Sequence, residues 1–277
     1  MAFDFQKIAV TVDARIATAT ISNPPMNVMT VDLLQELITL SQEIEADDDV
    51  RVLVMKSADP DFFIAHFDVS AILDRPTDTP AHPSHKPKLY HEMCERFRLM
   101  PKVTIAQIEG RIGGGGSEMA ASMDMRFGVR GVTFVNQMEV ALGILPGGTG
   151  TQRLPRLMGR GRALEVILGC DDLDADTAAA WGYLNRALEA DEIGPFVDNL
   201  ARRIASFPEP AVRLAKQSVN AAAQPLAEGL ATEAHLFDLL LRTEGAKTNM
   251  ARFMEIGGQT REGEMRMGEL CAELGEG

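Results

Sequence analysis

Aromatic residues are scarce in this chain of 277 residues: they make up 5%, with one Trp and two Tyr. A core short of rings is filled by aliphatic and thioether side chains, and the 15 methionines suit that role as adaptable filler. Basic charge is also short. Lys and Arg total 27 against 40 Asp and Glu, which leaves a net charge of −13 and an isoelectric point near 4.9. Nucleic-acid binding needs a basic face to meet phosphates, so it is excluded as a general role. Only three cysteines occur, Cys94, Cys170 and Cys271. They lie far apart without CxxC spacing, which argues against a disulfide framework or a zinc site. No apolar run approaches the roughly 20 residues that a membrane helix needs. The start, Met1-Ala2-Phe3-Asp4-Phe5, has neither a basic n-region nor an apolar h-region. The expectation is a cytoplasmic protein with no membrane partner.

Apolar content of 45% and charged content of 24% are ordinary for a globular protein. The length suits one large domain with a small appendage. Ile8 to Val12 and Arg15 to Ile21 read as strands joined at Asp13-Ala14. Thr30 is a candidate N-cap, with Asp32 in the first turn and Leu33, Leu34, Leu37, Ile38 and Ile44 as a helical stripe. Val50 to Met55, nearly all apolar, suits a strand buried on both faces. Phe62 to Ala65 is a second short strand. Four prolines among residues 74–88 mark a loop, and Leu89, Met93, Phe97 and Met100 mark another amphipathic helix. Val103 to Ile108 is a strand, Glu118 to Met123 is helical, and Arg126 to Val129 and Val132 to Val135 are strands. Helices follow over 149–158 and 160–168. Asp174 caps a short helix before a strand at Leu184-Asn185-Arg186. Strand–strand–helix thus recurs at least three times, without a sequence repeat. At Phe207-Pro208-Glu209-Pro210 the texture changes to Ala- and Leu-rich helix. This predicts a core over residues 1–207 and a helical region over 208–277.

Two glutamates carry the chemistry. Glu118 closes the run Gly113-Gly114-Gly115-Gly116-Ser117-Glu118, and Glu139 sits in Gln137-Met138-Glu139-Val140. A glycine run entering a helix exposes backbone N–H groups at the positive end of the helix dipole, a site for negative charge developing on a carbonyl oxygen. The plainer reading of such a run is a tight turn where close packing forbids side chains. It is not a dinucleotide fingerprint, because Glu118 occupies the third glycine position. Nor is Gly147-Gly148-Thr149-Gly150-Thr151 a phosphate loop, because no lysine follows Gly150. Two carboxyls near one carbonyl site suit proton transfers through an enolate. His82, His85 and His91 lack the spacing of a metal cluster, so no metal is expected.

In this order, five segments resemble the crotonase (enoyl-CoA hydratase/isomerase) superfamily. They are Asn23 to Met29, Phe63 to Val69, Gly113 to Glu118, Gln137 to Val140, and Leu145-Pro146-Gly147-Gly148-Thr149-Gly150-Thr151-Gln152-Arg153-Leu154. The resemblance implies an α/β fold, a crotonase-like spiral of strand–strand–helix units followed by a C-terminal helical, trimerising region. It implies an oxyanion hole from the N–H groups of Phe67 and Gly115, with Gly114 beside it. Family members carry small residues where this chain has His66 and Phe67, within Ala65-His66-Phe67-Asp68. That departure bears on the acyl group, since any residue but proline supplies the N–H. Asp68 is expected to tie down the turn. Glu118 would activate water and Glu139 would deliver the α-proton. In the tail, Phe253 matches an acyl-pocket phenylalanine, sometimes supplied to a neighbouring subunit, while Ile256 replaces a CoA-binding lysine. The activity implied is hydration of a 2-enoyl-CoA by a homotrimer or dimer of trimers, with no cofactor beyond the CoA of the substrate. The alternatives are another crotonase-type reaction (isomerisation, hydrolysis, decarboxylation) and a catalytically idle CoA-binding scaffold.

Overall fold

The structure, a computed structural model, describes residues 4–76, 78 and 87–275. The loop expected over 74–88 falls largely outside them, as do His82 and His85.

The chain opens with an antiparallel pair, β1 (Ile8–Asp13) and β2 (Ile16–Ile21). Ala14 and Arg15, both at positive φ, make the two-residue turn, one position later than the sequence pattern suggests. Helix α1 (Val31–Ala46) starts at Thr30, whose hydroxyl accepts the Leu33 N–H, and it buries Leu33, Leu37, Leu40 and Ile44. The next turn of chain comprises β3 (Val52–Ser57), β4 (Phe62–Ile64), α2 (Val69–Leu73) and α3 (Leu89–Leu99). Then come β5 (Val103–Ile108), β6 (Arg111–Gly113) and α4 (Gly114–Ala120). A further turn holds β7 (Met125–Val129), β8 (Phe134–Asn136), α5 (Gly150–Met158) and α6 (Arg160–Gly169). The last holds β9 (Leu173–Asp174), α7 (Ala175–Trp181), β10 (Arg186–Leu188) and α8 (Ile193–Ser206).

After the opening β1–β2 pair, each turn places one strand in each of two sheets. The larger runs β1-β2-β3-β5-β7-β10 and the smaller β4-β6-β8-β9. Every pairing from β2 onward in the larger sheet is parallel, as are β4–β6 and β6–β8. This is the expected spiral of strand–strand–helix units. Strand β3 shows why its sequence is so apolar. Val52 and Val54 face a core formed with Val197, Ala201 and Ala205 of α8, while Leu53 and Met55 face the larger core under α1, α3 and α4.

Several boundaries differ from the sequence pattern. Helix α4 begins inside the glycine run rather than at Glu118. A methyl on Gly116 would fall 2.7 Å from Ile64 Cβ, so α4 lies against β4 at a distance only glycine permits. Strand β3 is shifted to 52–57, and β10 starts at Arg186 rather than Leu184. Strands β6 and β9 are too short to show a period, and neither they nor α8 have a counterpart in the sequence pattern.

Beyond residue 207 the described chain is helical: α9 (Glu209–Ala221), α10 (Leu226–Leu240), α11 (Glu244–Glu255), α12 (Arg261–Met265) and α13 (Met267–Gly275). Helix α9 is bound to the core. Its Lys216 pairs with Asp124 at 2.7 Å and also donates to the carbonyl of Lys102. No helix of the described residues is long and apolar enough to cross a membrane.

Candidate active site

Three neighbouring parallel strands of the smaller sheet, β4, β6 and β8, run in the same direction. Just past their carboxyl ends lie Phe67, Gly115 and Glu139. Ligand sites of parallel sheets sit at such ends. Phe67 forms an isolated parallel bridge with Met29, made by His66 C=O and Asp68 N–H. The Phe67 N–H stands outside that bridge. A methyl on Gly115 would fall 3.2 Å from Phe67 Cβ and 3.6 Å from Phe67 N, so the two backbones meet without intervening side chains. Gly114 adopts φ +43°, and a methyl there would lie 3.0 Å from Glu139 Oε1. The glycine run therefore provides both the turn and the close approach.

Glu118 stands one helical turn into α4 and is 4% exposed. Its Oε1 accepts three consecutive backbone N–H groups, from Gly148 (2.8 Å), Thr149 (2.8 Å) and Gly150 (2.7 Å). These open α5, so the N-terminus of a second helix also points at this carboxyl. Its Oε2 makes no hydrogen bond among the described residues and lies over Gly148, where an added methyl would approach to 2.5 Å. The geometry divides the carboxyl into one anchored oxygen and one free for chemistry.

Glu139 is held differently. It is 8% exposed, and its buried Oε2 has no partner among the described residues. Burial is the main cause that raises its pKa to about 7. Its own backbone N–H opposes the shift, and the nearby Glu118 charge adds to it. Beside it, buried Gln137 donates from Nε2 to the Gly114 carbonyl at 3.2 Å.

Both glutamates line a cavity of about 660 Å³, together with His66, Phe67 and Gly115. Its other walls include Val69 and Ile72 of α2 and Leu142, Ile144 and Leu145 of the loop after Glu139. His66 donates from Nδ1 to Phe67 C=O at 2.9 Å. Ala65, Asp68, Gly114 and Phe253, which the resemblance also puts at the substrate, do not line this cavity in their own chain. Ala65 is part of the close contact with β6: a methyl on Gly113 would lie 2.6 Å from its carbonyl oxygen. Asp68 caps α2 by accepting the Ser70 N–H, and Gly114 lies beneath Glu139. Phe253 does not line the cavity of its own chain, because its ring packs against Gly258 among the C-terminal helices. His91 donates from Nε2 to Gly147 C=O at 2.9 Å. Among the described residues no three His, Cys, Asp or Glu side chains are grouped as a metal would require.

Sequence reasoning missed three parts of this site. The amides of Gly148, Thr149 and Gly150 lie in a quoted motif, but nothing in it names Glu118 as their acceptor. Tyr90, at the start of α3, donates its hydroxyl proton to Gly115 C=O. Arg75 and Lys88 stand at the cavity wall, and neither side chain makes an ion pair among the described residues. No local signal in the sequence points to any of the three.

Fold and cavity together define a crotonase-type α/β spiral. Residues 11–261 match the family model described as enoyl-CoA hydratase/isomerase, and the chain belongs to that family. It is similar to the short-chain-enoyl-CoA hydratase of Clostridium acetobutylicum, 33% identical over 245 residues that cover 88% of this chain and 92% of that one. It is also similar to the crotonyl-CoA hydratase of Syntrophomonas wolfei, at 30% identity over 91% of this chain and 96% of the relative. Among solved structures, an enoyl-CoA hydratase from Bacillus anthracis superposes with a TM-score of 0.82 at 25% identity, covering 90% of this chain and 96% of that one.

Proposed function

We propose that this protein hydrates a 2-enoyl-CoA thioester. One observation carries the reading: the cavity holds two carboxyls in opposite settings, Glu118 anchored by three N–H groups and Glu139 buried with a partnerless oxygen and a pKa of about 7. Such a split suits one base and one acid on the same substrate. The thioester oxygen lies between the N–H groups of Phe67 and Gly115. Water attacks the β-carbon and gives a proton to Glu118 Oε2. The electron pair of the double bond moves toward the carbonyl, and the enolate oxygen is held by the two backbone donors. Protonated Glu139 then delivers its proton to the α-carbon, and a proton passes from Glu118 back to Glu139 to restore the starting state. One donor of this kind is worth about 3 kcal/mol of barrier. The scheme calls on no redox cofactor and no metal, because CoA belongs to the substrate.

Two further features fit a CoA thioester. Arg75, whose guanidinium lies over the Phe67 ring, and Lys88, neither in an ion pair among the described residues, offer positive charge at the cavity in a chain of net charge −13, which suits the phosphates where Ile256 stands in place of the family lysine. The working assembly in this reading is a homotrimer or a dimer of trimers, with Phe253 serving a neighbouring subunit. Incubation of a 2-enoyl-CoA in ¹⁸O-water tests the reaction. Hydration puts the label on the β-carbon with CoA still attached. Label only in a released carboxylate, with free CoA, would mark a hydrolase and refute the hydratase reading.

A further inference from the structure

We propose that Tyr90 is a positioning residue that locks the proposed oxyanion donor to the proposed base. The inference rests on the hydratase reading above and adds a residue from α3, an element that supplies neither proposed donor nor proposed acid.

The first support is the hydroxyl. It donates to Gly115 C=O, the carbonyl of the residue whose N–H faces the thioester oxygen. A glycine has the widest backbone freedom of any residue, so the direction of its N–H is the least constrained by its own chain. A carbonyl has two lone pairs, and a helical N–H occupies one. A phenol on the other restrains the rotation of the Gly115–Gly116 peptide and with it the orientation at Gly115. A methyl on Gly115 would fall 3.4 Å from the Tyr90 oxygen and 3.6 Å from Phe67 N. The hydroxyl and the second proposed donor therefore flank the same glycine.

The second support is the ring. A methyl on Gly148 would fall 2.6 Å from Tyr90 Cε1 and 2.5 Å from Glu118 Oε2. The ring edge and the free oxygen of the carboxyl thus rest on one glycine. One rigid side chain bonds the carbonyl of the donor residue at its tip, on the peptide after the donor N–H, and shares Gly148 with the base along its edge, and so sets the spacing between the two. Burial, with Cys94, Glu118 and Glu139 nearby, holds the phenol well above its ordinary pKa, so it remains a donor throughout the working range. Its proton is committed to Gly115, which separates this role from that of a proton donor to substrate.

Tyr90→Phe keeps the ring and removes the bond. The expected result is a kcat about 10-fold lower, the scale of a misaligned rather than a missing donor, with KM for the enoyl-CoA within a factor of about two. The carbonyl stretch of a bound, unreactive acyl-CoA should also return part of the way toward its solution frequency. A variant with parental kcat and parental carbonyl frequency would overturn the proposal. So would a lower melting temperature with the carbonyl frequency unchanged, since that describes a purely structural residue. Should Tyr90→Phe not fold, 3-fluorotyrosine labelling gives the second reading, because the chain has only two tyrosines. The Tyr90 ¹⁹F signal, assigned with Tyr183→Phe, should move when the acyl-CoA saturates the site, and a stationary signal would overturn the proposal. Failure of the underlying reading looks different. A parent protein that hydrates no enoyl-CoA, yet shifts the carbonyl of a bound acyl-CoA, refutes the hydratase reading and leaves Tyr90 to be judged on that shift. A parent that produces no carbonyl shift refutes both.

Discussion

An oxygen that already accepts three N–H groups has little capacity left for proton transfer, so the chemistry of Glu118 falls to its other oxygen. Glu139 has no such anchor. We expect Glu118→Gln and Glu139→Gln each to lower turnover at least ~100-fold while the fold persists, the usual scale for loss of a general acid or base. Near-parental turnover of either variant would refute the role given to that residue. The pH dependence follows from the raised Glu139 pKa of about 7. Hydration uses the protonated acid, so its kcat/KM should fall as pH rises through about 7. Dehydration of the product uses the ionised form and should rise over the same interval. The same shift bears on stability. Between its ordinary 4.5 and about 7, folded Glu139 keeps a proton that the unfolded chain has released. Stability contributed by that protonated group is complete below 4.5 and is lost as pH rises through 7. Glu139→Gln removes the titration, so its melting temperature should exceed the parent's at pH 8 and the two should converge near pH 4.

Elements were legible where local chemistry decides them. Thr30 caps α1 and Asp174 caps α7 as their side chains suggest, and β5 occupies its expected residues because six apolar or uncharged positions sit between Pro101-Lys102 and Glu109-Gly110. The proposed hole and both glutamates were visible through motif order. Tyr90 was not, because what gives it meaning is a carbonyl on another element, reached only through the fold. Likewise β6 is three residues long, and its pairing with β4 and β8 depends on partners distant in sequence. Helix α4 shows tertiary packing overriding propensity. Alanine is a better helix former than glycine by about 1 kcal/mol, yet a methyl on Gly116 would meet Ile64 Cβ and Cγ2 at 2.7 Å and its carbonyl oxygen at the same distance. Overpacking typically costs about 1–3 kcal/mol. Gly116→Ala should therefore lower the denaturation midpoint, and a midpoint at or above the parent's would show that α4 can move off β4.

On the scale of the whole molecule, the central strands β3, β5 and β7 of the larger sheet are buried between α8 and the main core, while helix α10 leaves Leu226, Leu230 and Phe237 at 77%, 53% and 60% exposure. If this face is covered by further copies, sedimentation equilibrium should return three or six times 30.1 kDa, and Phe237→Glu should reduce that mass. A parent sedimenting as a single chain would refute the trimer reading. The interleaving of the two sheets has another result. Phe67, Gly115 and Glu139 follow three adjacent strands, so their separations are metered by the ladder between strands, about 4.8 Å per step. Peptide hydrogen bonds mark that ruler, and no side chain can re-mark it without slipping a strand and turning its residues to the opposite face. A new substrate for this site must therefore be found by recutting the cavity walls around a fixed scale, and its reacting atoms must already fit the spacing of the sheet.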